Sequence, residues 1–413
     1  VTTLGCPKNQ VDSDKIEGKL LADGLTQATS PEDADVVYVN TCAFIEPARE
    51  ESVNVILATS AGAKAGARVV VTGCLAARSG DELAAAMPEV EIDTSVWTTP
   101  TIAVREHARK NLLDLPRSKP KAPWSYVKIA EGCNRNCGFC AIPSFRGPQV
   151  SRDVDAILTE TQDLVDAGVK EIVLVAQDLA SYGKDRTDLG AGAIHSLVAQ
   201  VAEIADWTRL LYLYPSDLTD ELIDIVGSST KVPYFDLSLQ HVSKPLLRRM
   251  RRWGDGDRFT KRISDIRARF PDAAFRTNFI VGYPGETEED HDALLRFVET
   301  QELDWAGFFA FSNEPGTYAA ELDGHIETLL INDRLDELTE RQDAITAAKG
   351  VALIDSTMTV LVDSIGTARS TREAPEIDGV IEVPARLTPG QFVEVTITDA
   401  NGPDLVATPT AGW

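Results

Sequence analysis

Between residues 125 and 311 the chain alternates strand-like apolar runs with helical patterns six times, and this rhythm leaves few architectures open. The runs are Ser125–Ala130, Glu171–Gln177, Arg209–Tyr214, Pro233–Leu239, Phe275–Val281 and Trp305–Phe311. Helical patterns such as Asp153–Ala167 and Glu288–Thr300 fall between them. Parallel strands need long crossover connections, and helices supply them. Six such units predict a curved parallel sheet, an incomplete version of the eight-stranded barrel. Chemistry on such sheets sits at the carboxyl ends of the strands, so residues that follow a strand directly are the first to inspect.

The first such position is occupied by Glu131-Gly132-Cys133-Asn134-Arg135-Asn136-Cys137-Gly138-Phe139-Cys140, a C-x3-C-x2-C pattern. Three thiolates bind three irons of a four-iron cluster and leave the fourth open, whereas a structural zinc site wants four closed ligands and no nearby fourth Cys or His offers itself. The other cysteines repeat the theme at longer range. Cys42 and Cys74 follow the buried strand patterns Val36–Asn40 and Val69–Gly73, with a helical pattern from Glu46 to Ala65 between, and Cys6 follows Thr2–Gly5. In an open α/β sheet, three such positions converge in one crevice although 35 and 31 residues lie between them. The residues alone leave buried thiols as the alternative, because free cysteine is among the most buried side chains. Three disulfides are a poor reading of six cysteines in a chain of 413 residues, since disulfide scaffolds are short and secreted; a reducing, cytoplasmic setting is expected.

A stretch rich in proline and basic residues, Asp114–Pro123, reads as a linker. Ile326–Ala348 predicts a long helix, and beyond it short strands at Met358–Val362, Gly379–Val383 and Phe392–Ile397 predict a small all-β barrel. The expected domains are 1–113, 119–350 and 356–413. There is no run of about eighteen apolar residues, so no membrane span is expected. The start at Val1, already inside a strand pattern, reads as a clipped first strand rather than a signal peptide.

Together these residues resemble a known family. Cys133, Cys137 and Cys140 with Phe139 are similar to the signature of radical S-adenosylmethionine enzymes. Leu4–Asn9, Asn40–Ile45 and Val71–Cys74 resemble the amino-terminal half of the methylthiotransferases among them. The resemblance implies two four-iron clusters, one on Cys133, Cys137 and Cys140 with S-adenosylmethionine on its open iron, the other on Cys6, Cys42 and Cys74 handling the inserted sulfur. It implies a radical that abstracts hydrogen from an unactivated carbon, a carboxyl-terminal TRAM domain that binds substrate, and an electron donor and sulfur source as partners. Phe139, Gln177, Gln240, Ile280 and Gly282 are the expected cofactor contacts, the last two from Phe279–Thr287; His241 is a weaker candidate.

Two branches of this family compete, one modifying an adenosine of tRNA and one the β-carbon of an aspartate in the twelfth small-subunit ribosomal protein. Cys6–Asn9, Phe44–Glu46, Ala141–Gly147 and Ala374–Gly379 resemble the second. Charge favours it too. The chain carries 40 basic and 64 acidic residues, a net −24. The terminal barrel has only Arg369, Arg372 and Arg386 against Asp363, Glu373, Glu376, Asp378, Glu382, Glu394, Asp399 and Asp404. Phosphate binding demands basic surface, so tRNA is the poorer partner and a basic ribosomal protein the better one. Glu373, Glu376 and Asp378 are the expected docking acids. A reading from another class, a two-cluster redox sensor or electron carrier, predicts no cleavage of S-adenosylmethionine.

Overall fold

Val36–Thr41 and Arg68–Gly73 are nearly continuous runs of apolar and β-branched residues, which suits strands buried on both faces. A computed structural model, which describes residues 1–94, 112–190 and 192–410, bears this out. In it these two strands form the middle of a four-stranded parallel sheet, flanked by Thr2–Thr3 and Glu91–Ile92. Val37, Val39, Val69 and Val71 face a core with Ile56 and Leu75, while Tyr38 and Val70 face the opposite side with Ile16, Leu112 and Leu115. Helices Pro7–Ala22, Glu46–Gly62 and Cys74–Ala86 follow the first three strands. Part of the expected domain 1–113 and the end of the expected domain 356–413 lie outside the described residues.

By packing, the chain forms two units. The first is Val1–Lys119 with Glu131–Arg135 and Cys140–Val150; the second is Pro120–Ala130, Asn136–Phe139 and Ser151–Trp413. In the second unit the six expected strands are present as Trp124–Lys128, Glu171–Val175, Trp207–Leu210, Tyr234–Gln240, Ala274–Val281 and Trp305–Ala310. They are parallel and in sequence order as two groups of three, bridged where Leu213 pairs with Leu237. Alternate residues (Ile172 and Leu174, Phe235 and Leu237) fill its core. The helix Thr328–Ala352 leads into a closed barrel ordered Thr357–Ser364, Thr367–Arg369, Ile381–Glu382, Asp404–Pro409, Phe392–Asn401. Val360, Val362, Val393, Val395 and Ile397 point inward at the period of two that a strand imposes. The sequence reading missed Thr367–Arg369 and Asp404–Pro409, which are short or open on a turn, and Glu91–Ile92, a two-residue edge strand.

The second unit is closed at the amino-terminal ends of its strands by the segment Ser370–Asp378. Tyr126 donates to the carbonyl of Pro375 (3.0 Å), and Arg209 to that of Thr371 (3.0 Å). Tyr234 donates to Asp378 (2.6 Å), Arg276 pairs with Asp378 (3.4 Å), and Trp305 donates to the carbonyl of Arg372 (2.8 Å). Beneath this segment Glu171 bridges Arg209 (2.7 Å) and Arg369 (2.8 Å), all three fully buried.

Candidate active site

In the first unit each cysteine of the dispersed set lies just beyond a parallel strand, Cys42 and Cys74 directly and Cys6 after Leu4 and Gly5. Cys6 caps helix Pro7–Ala22, Cys42 follows Val36–Thr41, and Cys74 opens helix Cys74–Ala86. Side chains pin the strand ends. Asn9 donates to the carbonyls of Leu4 (2.9 Å) and Thr41 (3.0 Å), and Asn40 donates to that of Asn9 (2.8 Å) and to Ser13 (3.0 Å). Thr41 donates to the carbonyl of Thr72 (2.6 Å) and accepts from the amide of Leu75 (3.2 Å). Ser52 ties both the amide and the carbonyl of Cys42. Close approach also requires two glycines. At Gly5, φ is +90° and a Cβ would stand 2.8 Å from the Cβ of Cys42; at Gly73, φ is again +90° and a Cβ would stand 2.3 Å from the side chain of Asn40.

The thiols are electrostatically coupled. Burial pushes Cys42 up to about 11, with Cys74 and Cys6 adding to the rise. Burial also raises Cys74, against the opposing pull of Arg146. Burial acts on Cys6 as well, but Lys8, the amides of Asn9 and Lys8 and the charge of Arg146 together outweigh it and lower the thiol. Thiolates at helix starts beside a cation are the chemical form that ligates metal. Among the described residues no three acidic, histidine or cysteine side chains could hold a single metal ion. A single zinc would draw its sulfurs to about 3.8 Å of one another, whereas a four-iron cluster holds its ligands further apart. The donor set, three free cysteines at converging strand ends with a cation beside one, fits such a cluster.

That cation is Arg146, which the sequence reading passed over. It ends the short helix Ile142–Arg146 and is 2 % exposed. It donates to Cys74 Sγ (3.0 and 3.3 Å) and to Asn9 Oδ1 (2.8 Å), and it pairs with Glu131 (3.1 Å) and Asp12 (3.3 Å). All five side chains belong to the first unit.

The second set of cysteines is local in sequence. In the first unit the amide of Cys133 donates to the carbonyl of Gly147 (3.1 Å), and that of Arg135 to Cys133 Sγ (3.4 Å). In the second unit the peptide after Cys137 is held by Met250 and Ala319 through Gly138, and Arg252 donates to Cys137 Sγ (3.4 Å). Phe139 is half-buried against the main core of that unit. Gln240 ends its strand at φ +71°, Gln177 lies just past the end of another, and Ile280 is half-buried near the end of a third. Gly282 has a different reason from the one expected: at φ +82° a Cβ would strike Ile331 at 2.4 Å, so it is glycine for helix packing. Its amide donates to Glu286 (2.6 Å), which Arg334 also holds. His241 is fully buried and accepts from the amide of Ser243 (3.1 Å), and burial pushes it down to about 4.

The expected docking acids need correction. Glu373 is 2 % exposed and accepts from the amide and hydroxyl of Ser370. Asp378 is buried between Tyr234, Arg276 and the amide of Ala374. Both serve the segment that closes the sheet, and only Glu376 faces solvent. Charge counted along a sequence cannot tell a barrel's outer acids from those that anchor it.

Three family profiles match the chain: "Uncharacterized protein family UPF0004" at residues 1–94, "Radical SAM superfamily" at 127–298 and "TRAM domain" at 352–409. Curated relatives match along nearly the whole length. The ribosomal protein uS12 methylthiotransferase RimO of Aquifex aeolicus is 41% identical, over 99% of this chain and 96% of that one. The protein of the same name from Salinispora tropica is 38% identical, over 99% and 94%. That from Moorella thermoacetica is 40% identical, over 96% of each. With the sheet that gathers Cys6, Cys42 and Cys74, a radical S-adenosylmethionine domain and a closed barrel following one another along the sequence, the chain belongs to the RimO family of methylthiotransferases.

Proposed function

We propose that this enzyme methylthiolates the β-carbon of an aspartate in ribosomal protein uS12, using two four-iron clusters. The observation that carries the reading is the gathering of a second cysteine set, Cys6, Cys42 and Cys74, at the ends of parallel strands with a buried cation bonded to Cys74, in a chain that also bears the Cys133, Cys137, Cys140 set. Relatives named for uS12 along nearly their whole length support the substrate. When bound, S-adenosylmethionine and the cluster on Cys133, Cys137 and Cys140 supply the hydrogen-abstracting chemistry. The chain's own side chains would orient and enclose these groups: Arg252 beside Cys137, Phe139 against the core, Gln177 just past one strand and Gln240 at the end of another.

The barrel's exterior supports a basic protein partner over RNA. Its exposed charges are Glu376, Glu382, Glu394 and Asp399 against Arg386. Such a surface repels phosphate and speeds encounter with a lysine-rich partner. Its partners further include an electron donor and a sulfur source.

Mass spectrometry of uS12 and tRNA from cells lacking this chain tests the substrate: the methylthio group should vanish from the uS12 aspartate and persist on tRNA adenosine. Loss from tRNA alone would overturn the assignment. By ligand count the anaerobically reconstituted protein should hold about eight irons. Replacing Cys6, Cys42 and Cys74 with Ala should halve that number yet leave reductive cleavage of S-adenosylmethionine detectable. Replacing Cys133, Cys137 and Cys140 should halve it and abolish that cleavage.

A further inference from the structure

Arg146 is a buried cation whose contacts have an unusual composition. Two carboxylates, Glu131 and Asp12, balance its charge at 3.1 and 3.3 Å, and every one of these groups is nearly or fully shielded from water. Two acids are more than one guanidinium needs, and a purely structural ion cluster would close on them. Arg146 instead spends its Nε and one face of Nη2 on the sulfur of Cys74, a weak acceptor while it remains a neutral thiol. A guanidinium aimed at a sulfur is matched when that sulfur is an anionic ligand. Asn9 completes the arrangement, since its Oδ1 accepts from Arg146 while its Nδ2 holds the carbonyls of Leu4 and Thr41, next to Cys6 and Cys42.

We infer that Arg146 is the positioning residue that sets the reduction potential of the amino-terminal cluster, with Asp12 as its counterweight; this rests on the reading that Cys6, Cys42 and Cys74 hold a cluster. Hydrogen bonds to a ligating sulfur and positive charge close to it both stabilise the reduced, more negative cluster. They act strongly here because the groups lie away from water, where charge is poorly screened. Arg146 therefore raises the potential. Asp12, which pairs with the guanidinium, lowers it.

The position in sequence gives this tuning a further role. Arg146 lies six residues after Cys140, and Glu131 lies two before Cys133. The segments that bear two ligands of the local set thus also deliver the cation and one of its balancing acids to the dispersed set, all within the first unit. Any displacement of these segments would remove the Cys74 hydrogen bonds and shift the potential.

The test uses the full-length chain with Cys133, Cys137 and Cys140 replaced by Ala, so that only the amino-terminal cluster remains, reconstituted anaerobically and titrated by electron paramagnetic resonance. Iron is counted first. If the parent binds none, the cluster reading itself has failed, and the tuning with it. With about four irons bound, Arg146→Gln should lower the midpoint potential, leaving the reduced-to-oxidised ratio at least tenfold smaller at a fixed potential, a shift of 59 mV for one electron. Arg146→Lys, which keeps the charge but loses the forked donor geometry, should fall between Gln and the parent. Asp12→Asn should move the potential the other way. If Arg146→Gln does not take up iron, Arg146→Lys and Asp12→Asn carry the measurement. Opposite signs at Arg146 and Asp12 are not expected from residues that merely hold the fold. Unchanged potentials in iron-replete variants would overturn the inference while leaving the cluster intact.

Discussion

Two buried networks of arginine and carboxylate serve different ends in the two units. In the second, Glu171, Arg209, Arg369 and Asp363 join one another, and Asp236, Arg276 and Asp378 do the same with the hydroxyl of Tyr234. The charges there face one another, a hydroxyl and backbone groups, and the network fastens the terminal barrel beneath the parallel strands. In the first, Arg146 is shared between two acids and the sulfur of Cys74. A network closed on its own charges holds structure together; one that turns a donor toward a thiol has a partner of another kind. The difference is read from where the hydrogen bonds end, since both networks are largely buried.

The sharpest way to break the comparison is to cut the closed network. Arg369→Ala leaves Glu171 and Asp363 short of a buried counter-charge and should cost about 3–5 kcal/mol. Denaturation followed by tryptophan fluorescence should show the loss in the second unit, while iron bound through Cys6, Cys42 and Cys74 stays the same. Loss of that iron would mean the two networks are not independent.

A smaller effect comes from pH. Burial pushes Asp378 up from 3.8 to about 6, so between those values the folded state holds a proton that the unfolded chain has released, and stability falls as pH rises through this window. Burial pushes His241 down from 6.5 to about 4, so the unfolded chain takes up a proton that the folded state refuses, and stability falls as pH drops through nearly the same window. The two slopes oppose. Asp378→Asn should expose the histidine's slope and His241→Gln the aspartate's, each tilting the curve between pH 4 and 6 by up to about 3 kcal/mol in opposite directions. Melting temperatures measured across that range decide it, and parallel curves for the two variants would refute it.

Next in size is Thr41→Val in the first unit. It removes the bonds to the carbonyl of Thr72 and the amide of Leu75 and should cost about 1–3 kcal/mol, with weaker retention of iron by the amino-terminal site under chelator challenge. The smallest effect is expected at Arg68 and Glu91, a partly exposed forked pair on the same sheet. Arg68→Ala should cost no more than about 1 kcal/mol, and salt should shrink even that.

Much of this was legible in the sequence, for stated reasons. Strands such as Val69–Val71 announce themselves because both faces are buried and their residues are uniformly apolar, and cysteines at strand ends carry chemistry in a type of side chain too scarce to ignore. Arg146 was not legible. Arginine is common, and its meaning here comes from Asn9, Asp12, Cys74 and Glu131, which converge from three separate stretches of chain. The docking acids failed for the converse reason: Glu373 and Asp378 look like surface residues until Ser370, Tyr234 and Arg276 are seen around them. Gly282 was singled out as a cofactor contact, whereas the packing that requires glycine there comes from Ile331, 49 residues away in sequence.

The scattering of the amino-terminal ligands also dictates a calendar for maturation. A nascent chain that has displayed Cys6 and Cys42 has only two of the three thiols, and at Cys74 it still lacks Arg146, 72 residues further on. Until that arginine arrives, Cys42 and Cys74 are gathered without the cation that opposes their burial, and burial resists their ionisation. Iron delivered early would meet Cys74 without its hydrogen bonds from Arg146, and iron delivered after residue 146 has docked would meet them in place. The local cysteine loop is complete in sequence by residue 140, so under the proposed two-cluster reading the site that begins first along the chain is the one that finishes last.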